Sequence, residues 1–156
     1  MSPPEAPAHD MWRDGPLRYL GYANEVGEAF RLQVPRMVVP SYGVAIGYVL
    51  CDTADKAAQS MARGEAASAT AATAADVLLW QGLASVAIPG LTINSVVKAT
   101  AHACASKRAA GLSPSVVRWA PTLVGLAVVP LIIAPIDAFT DALLDSTTRK
   151  LASEYR

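Results

Sequence analysis

Three stretches of this chain carry no charged residue: 37–51, 77–97 and 119–136, which are 15, 21 and 18 residues long. A helix needs about 17–25 apolar residues to cross the hydrocarbon core of a bilayer. The second and third stretches reach that length. The first falls just short, but the long stem of Arg36 can snorkel beside it and extend it. Buried helices of a soluble bundle would show a polar stripe, and these stretches show almost none. The pattern predicts an all-α membrane protein with about three transmembrane helices, near 35–51, 77–97 and 119–136.

Proline and glycine punctuate these spans. Pro89-Gly90 sits near the middle of the second, and the third holds Pro121, Pro130 and Pro135. Each proline removes a backbone donor and displaces a carbonyl, so the spans are expected to be interrupted there. Freed groups need partners where water is absent. For Pro89 the nearby candidates are Ser85, Thr92 and Asn94. The first span carries Gly43 and Gly47, four apart, a spacing that lets two helix backbones approach closely. Gly43, Gly47, Pro89 and Gly90 are therefore the candidate helix-packing positions.

Two amphipathic helices are expected to flank the spans, near 16–33 and 136–151. In the first, Leu17, Leu20, Ala23, Val26 and Phe30 recur at helical spacing, while Arg18, Glu25, Glu28 and Arg31 occupy the remainder. Its apolar stripe suits a membrane interface or a docking contact with other helices. Gly21 and Gly27 weaken it, which points to close backbone packing. Arg18, Tyr22, Asn24, Glu25, Glu28 and Arg31 form its candidate docking face for a partner. In the second, Asp137, Asp141 and Asp145 line up with Arg149 at four-residue spacing and read as a solvated face. Residues 1–14 are proline-rich and polar and should be irregular; 15–156 then forms one helical membrane domain. With three spans, the chain ends fall on opposite sides.

The remaining chemistry is sparse. Lys plus Arg equals Asp plus Glu at 13 each, which favours neither nucleic acid nor an acidic substrate. His9 and His102 stand alone, Cys51 and Cys104 have no metal or redox spacing, and no phosphate loop or catalytic motif occurs. No metal, cofactor or catalytic residue is expected. The charge-free centres argue against an ion relay, so a small transporter is only a third reading. Lys98, Lys107, Arg108 and Arg118, with no acid between them and Trp119 beside them, form a candidate site for lipid headgroups.

Several blocks are more specific than composition explains. They are Arg18-Tyr19-Leu20-Gly21-Tyr22-Ala23-Asn24-Glu25-Val26-Gly27-Glu28-Ala29-Phe30-Arg31, Ser41-Tyr42-Gly43-Val44-Ala45, and Leu83-Ala84-Ser85-Val86-Ala87-Ile88-Pro89-Gly90 with Thr92, Ile93 and Asn94. Pro135-Ile136-Asp137, Leu143-Leu144-Asp145-Ser146 and Arg149-Lys150-Leu151 complete the set. In this order they resemble the mitochondrial fission process protein family, the mitochondrial 18 kDa proteins. The resemblance implies a multi-pass protein of the mitochondrial inner membrane that serves fission and membrane integrity without enzymatic activity. It makes cardiolipin the natural lipid for the basic cluster. An accessory structural subunit of a large respiratory assembly remains the alternative, with other inner-membrane proteins as partners in either case.

Overall fold

The computed structural model describes residues 10–13, 15–106 and 111–150. Among them there are helices and turns and no strand. Two short helices, α1 (Arg18–Gly21) and α2 (Ala23–Ala29), lead through a 3₁₀ turn at Pro35–Met37 into α3 (Val38–Ala62). A tight turn then enters α4 (Ala67–Gln81), which passes through a π-helical segment (Gly82–Ala87) into α5 (Ile88–Ala105). The last long helix is α6 (Pro114–Ser146). Three helical runs, Pro35–Ala62, Ala67–Ala105 and Pro114–Lys150, are long and apolar enough to cross a membrane.

The turns follow from local sequence. Gly64, at φ +74°, takes the left-handed position that closes α3, and its amide donates to the Met61 carbonyl. Ser60, fully buried, bridges the two sides of this hairpin through Glu65 (2.7 Å) and Thr70 (2.9 Å). The Ala-, Ser- and Thr-rich stretch 52–76, between the first two charge-free stretches, is thus mostly helix, extending the first two runs. Ser113 caps α6 by accepting from the Val116 amide, and Pro114 follows in the first turn, where its missing donor costs nothing. Asp14, Leu151 and most of the segment 1–14, expected to be irregular, lie outside the described residues.

The prolines do not interrupt the helices. α6 runs through Pro121, Pro130 and Pro135 and continues to Ser146, so the expected third span and final amphipathic helix are one element. Around Pro89 the second run widens into the π segment instead of breaking. An extra residue in the turn absorbs the lost i→i−4 bond while keeping most of the backbone paired.

The N-terminal helix departs most from expectation. It is split between Gly21 and Ala23 by Tyr22, and α2 packs against α3, α5 and α6 together. Its direction can be followed by its partners. Asp10 pairs with Lys56 at 2.8 Å, Arg18 with Asp137 at 2.5 Å, and Gln33 with the Arg118 carbonyl at 2.6 Å. Lys56 lies near the C-terminal end of α3, and Arg118 lies in the first turns of α6 beside the start of α3. Along α6, positions 118 to 137 span about 28 Å, close to the thickness of a hydrocarbon core. Residues 10–33 therefore run the length of the bundle, antiparallel to α3. Arg149 pairs with Asp76 at 2.7 Å, which puts the last described residues at the same end as Asp10 and Lys56. The two described ends lie on one side, not on opposite sides.

Candidate functional site

A polar seam runs through the interior of the bundle beside two apolar clusters, one of Trp80, Ala84, Ile136 and Leu144 and one of Ala29, Ile93 and Val97. Asn24, Glu25, Glu28, Asp52, Gln81, Thr122 and Thr140 are all buried, while Tyr19, Val39, Leu91, Leu123 and Leu131 face outward. Helix α2 shows the inversion most clearly. Asn24 is 0% exposed, Glu25 1% and Glu28 2%, whereas Val26, between them in sequence, is 46% exposed. Of the expected apolar stripe, Leu20 and Val26 point away from the bundle and Leu17, Ala23 and Phe30 are half-buried, while Asn24, Glu25 and Glu28 of the polar face point in. The candidate partner-docking residues Asn24, Glu25 and Glu28 are thus engaged within their own chain. An aqueous helix places its faces the other way round.

Glycine makes this seating possible. A β-carbon on Gly27 would collide with Ser41, and one on Gly90 with the Tyr42 hydroxyl. On Gly21 it would press on the Tyr48 ring at 3.0 Å, and on Gly125 on Val97 at 2.9 Å. Gly21 and Gly27 are therefore the close approaches that their presence in a helix suggested, and Gly90 is a third. Gly43 and Gly47 are not. Among the described residues nothing beyond the neighbouring residues and backbone of α3 itself lies within 4 Å of a β-carbon placed on either, because α3 turns its other face, with Ala45, Tyr48 and Val49, to the interior.

Glu28 is the most densely bonded group in the seam. Arg31 forks onto its two oxygens at 2.6 and 2.7 Å, Asn94 donates at 2.7 Å, and the Tyr42 hydroxyl donates at 3.0 Å. Asn24 donates through Nδ2 to the Val86 carbonyl in the π segment at 3.1 Å. That carbonyl is thus served from another element. The expected local candidates turn elsewhere: Ser85 to Gln81, Thr92 to the Ile88 carbonyl, and Asn94 to Glu28. Glu25 differs from its neighbours, since its Oε2 is buried without a hydrogen-bond partner.

Further along, Arg18 donates to the Tyr22 hydroxyl and to Asp137. Gln81 donates to Asp52 at 2.5 Å and accepts from Ser85 at 2.6 Å, and the Tyr48 hydroxyl donates to the Trp12 carbonyl at 2.6 Å. At the Lys56 end, Trp12 donates to Asp55, and the Arg13 guanidinium lies 4.0 Å over the Trp80 ring. Burial pushes the Asp10 carboxyl up, but the Lys56 ammonium and the Trp12 amide more than offset it and hold it below the usual range. The aspartate row on α6 is not simply solvated. Asp141 accepts from Trp80 at 2.9 Å and from Arg149 at 3.0 Å, and Asp145 accepts from Arg149 at 2.9 Å.

At the opposite end the described parts of the basic cluster, Lys98 and Arg118, are exposed; Lys107 and Arg108 lie outside the described residues. Arg118 also donates to Gln33 at 3.2 Å and lies 5.9 Å from the Trp119 ring centre. Among the described residues no three His, Cys, Asp or Glu side chains gather as a metal site.

The residues that sequence reasoning left out of the site include Tyr42, Asp52, Gln81, Asn94, Thr122, Asp137, Thr140 and Asp141. Tyr42, Asn94 and Asp137 stood in the blocks that carried the family resemblance. Their signal was a polar side chain inside or at the edge of an apolar stretch, where lipid offers no partner.

Fold and seam together define an all-α protein of three membrane-length helices, with an apolar exterior and a polar seam running beside its apolar core. The chain belongs to the mitochondrial 18 kDa protein family, whose sequence model matches residues 14–78 and 57–144. Mitochondrial fission process protein 1 of Homo sapiens is 48% identical over 95% of this chain and 91% of its own length. The protein of that name from Danio rerio is 46% identical over 97% of this chain and 96% of its own. The one from Caenorhabditis elegans is 43% identical over 93% and 90%. No solved structure matches the chain.

Proposed function

We propose that this chain is a non-enzymatic, multi-pass protein of the mitochondrial inner membrane that supports fission and membrane integrity through protein and lipid contacts. One observation carries the membrane part: α2 buries Asn24, Glu25 and Glu28 and exposes Val26. That polarity is favourable only where the surroundings are apolar. The fission part rests on the relatives' name, shared across nearly the whole chain. A binding role rather than catalysis is supported by the seam's densest group, Glu28, whose bonds all go to side chains of this chain, Arg31, Asn94 and Tyr42. The contacts left for other molecules are the open face of α3 around Gly43 and Gly47 and the basic end at Arg36, Lys98 and Arg118. Anionic lipid, cardiolipin in this membrane, suits the basic end.

The test is genetic and topological together. Depleting the chain's endogenous counterpart should elongate the mitochondrial network, and re-expressing this chain should restore division. The chain should resist alkaline extraction and stay protected from protease until the inner membrane is opened. Unchanged morphology would reject the fission part. Release by alkali would reject the membrane part. Native electrophoresis tests the alternative of a permanent accessory subunit, which predicts co-migration with one large respiratory assembly; a fission factor runs in small or mixed species.

A further inference from the structure

We propose that Glu25 is a proton-binding site inside the bundle, and that the proton it carries keeps α2 seated between the long helices. The argument begins with what is missing around it. Glu25 is 1% exposed, and its Oε2 has no hydrogen-bond partner. Asn24, beside it in sequence, likewise has an unserved Oδ1. An isolated ionised carboxylate in such a place costs far more than a packed bundle can offset, so the group takes up a proton instead.

The charged groups around it cannot supply a counter-ion, because each is already committed. From the same segment, Arg31 forks onto Glu28, and Arg18 bonds Asp137 of α6 and the Tyr22 hydroxyl. From α3, Tyr42 donates to Glu28, Tyr48 donates to the Trp12 carbonyl, and Asp52 holds Gln81. The second long run offers no ionisable group between positions 77 and 97. Two glutamates one helical turn apart thus have opposite fates. Glu28 accepts four hydrogen bonds and is ionised. Glu25 has an oxygen with no donor and is neutral. A carboxylic acid can also donate, which a carboxylate cannot, so the proton turns an acceptor without a partner into a group able to satisfy one.

Dicyclohexylcarbodiimide separates the two states, because it is apolar and reacts with protonated carboxyls. The full chain in lipid nanodiscs is treated near neutral pH and mapped by peptide mass spectrometry. Glu25 should be modified and Glu28 should not, with modification of Glu25 falling as the pH is raised. Solvated glutamates, with a pKa of about 4.3, are ionised under these conditions. Modification of Glu25 should also vanish in detergent-denatured chain. A Glu25→Gln variant, the neutral mimic, should fold and lose the steep decrease in thermal stability that the native chain shows as pH rises. An unmodified Glu25 at every pH, equal modification of Glu28, or superimposable pH–stability curves for E25Q and the native chain would each overturn the proposal. The labelling arm needs only the native chain, so it stands even if the variant does not fold.

Discussion

The side-chain amide of Asn24 donates to the backbone carbonyl of Val86, 3.1 Å away and 62 positions along the chain. This bond joins the N-terminal helix to the one place where the second long run departs from α-helical geometry. The π segment Gly82–Ala87 presents a carbonyl inward, Gly90 leaves the room, and Asn24 fills the space. Replacing Asn24 with Ala leaves that carbonyl without this donor at a cost of about 1–3 kcal/mol. The midpoint of thermal unfolding in detergent should fall, and Asn24→Asp should be no better than Ala because it cannot donate. An unchanged midpoint for both would mean that Val86 finds another donor.

Gly90 and Gly43 make a contrasting pair. A methyl on Gly90 meets the Tyr42 hydroxyl and lies 3.1 Å from the Asn24 amide, so Gly90→Ala must push apart two elements. Overpacking of this kind costs about 1–3 kcal/mol. A β-carbon on Gly43 meets nothing within 4 Å among the described residues, so Gly43→Leu should leave the unfolding midpoint almost unchanged. Any defect of Gly43→Leu should then appear in assembly with other proteins, read by native electrophoresis. Loss of stability in Gly43→Leu with none in Gly90→Ala would reverse the assignment of the two faces.

The bond between Arg31 and Glu28 holds a buried charge. Arg31 is partly solvated, with 35% of its side chain exposed, while Glu28 is 2% exposed. Arg31→Met leaves the carboxylate with Asn94 and Tyr42 alone, at an expected cost of about 1–3 kcal/mol. Adding Glu28→Gln should return part of that loss, because the charge that needed compensation is gone. A double-mutant cycle in chemical denaturation reads the coupling, and additive losses would show that the fork contributes little.

How much of this was legible can be judged residue by residue. The three long helices were, because 77–97 and 119–136 are long enough to cross a bilayer and carry almost no polar stripe. So were the close approaches of Gly21 and Gly27. The seam was not. The inference that charge-free stretches exclude ionisable groups from the centre held for those stretches alone. It missed that Glu25 and Glu28 are carried in by a neighbouring segment. The stripe of Leu20 and Val26 was read correctly as a helix face, but periodicity does not say whether the inside of a bundle or the outside is the apolar phase. Asp137, read as solvated, bonds Arg18, whereas Asp141 and Asp145 keep 49% and 65% of their side chains exposed, as expected of that face. Gly43 and Gly47 had the right spacing for packing, but spacing names a face without naming its neighbour.

The path of residues 10–33 leads to a last expectation, about topology. Three crossings alone would leave the ends on opposite sides. Here Asp10 pairs with Lys56, and Gln33 bonds Arg118 at the far end of the bundle. The segment therefore runs the length of the bundle beside the three long helices, assembled from two short helices and turns. Arg149 returns to Asp76, near the Asp10 end. Short epitope tags at the two termini should consequently become accessible to antibody in the same step as the mitochondrial membranes are opened in turn. A tag in the 107–110 connection should become accessible in the other step. The native cysteines provide an independent check. Cys104 lies in the last turn of α5, at the Arg118 end, whereas Cys51 lies about 24 Å along α3 from Pro35. A disulfide requires Cα atoms within about 7 Å, so oxidation should never join these two within one chain. Terminal tags exposed in different steps would place the N-terminal segment outside the bundle, and with it would fall the account of the seam.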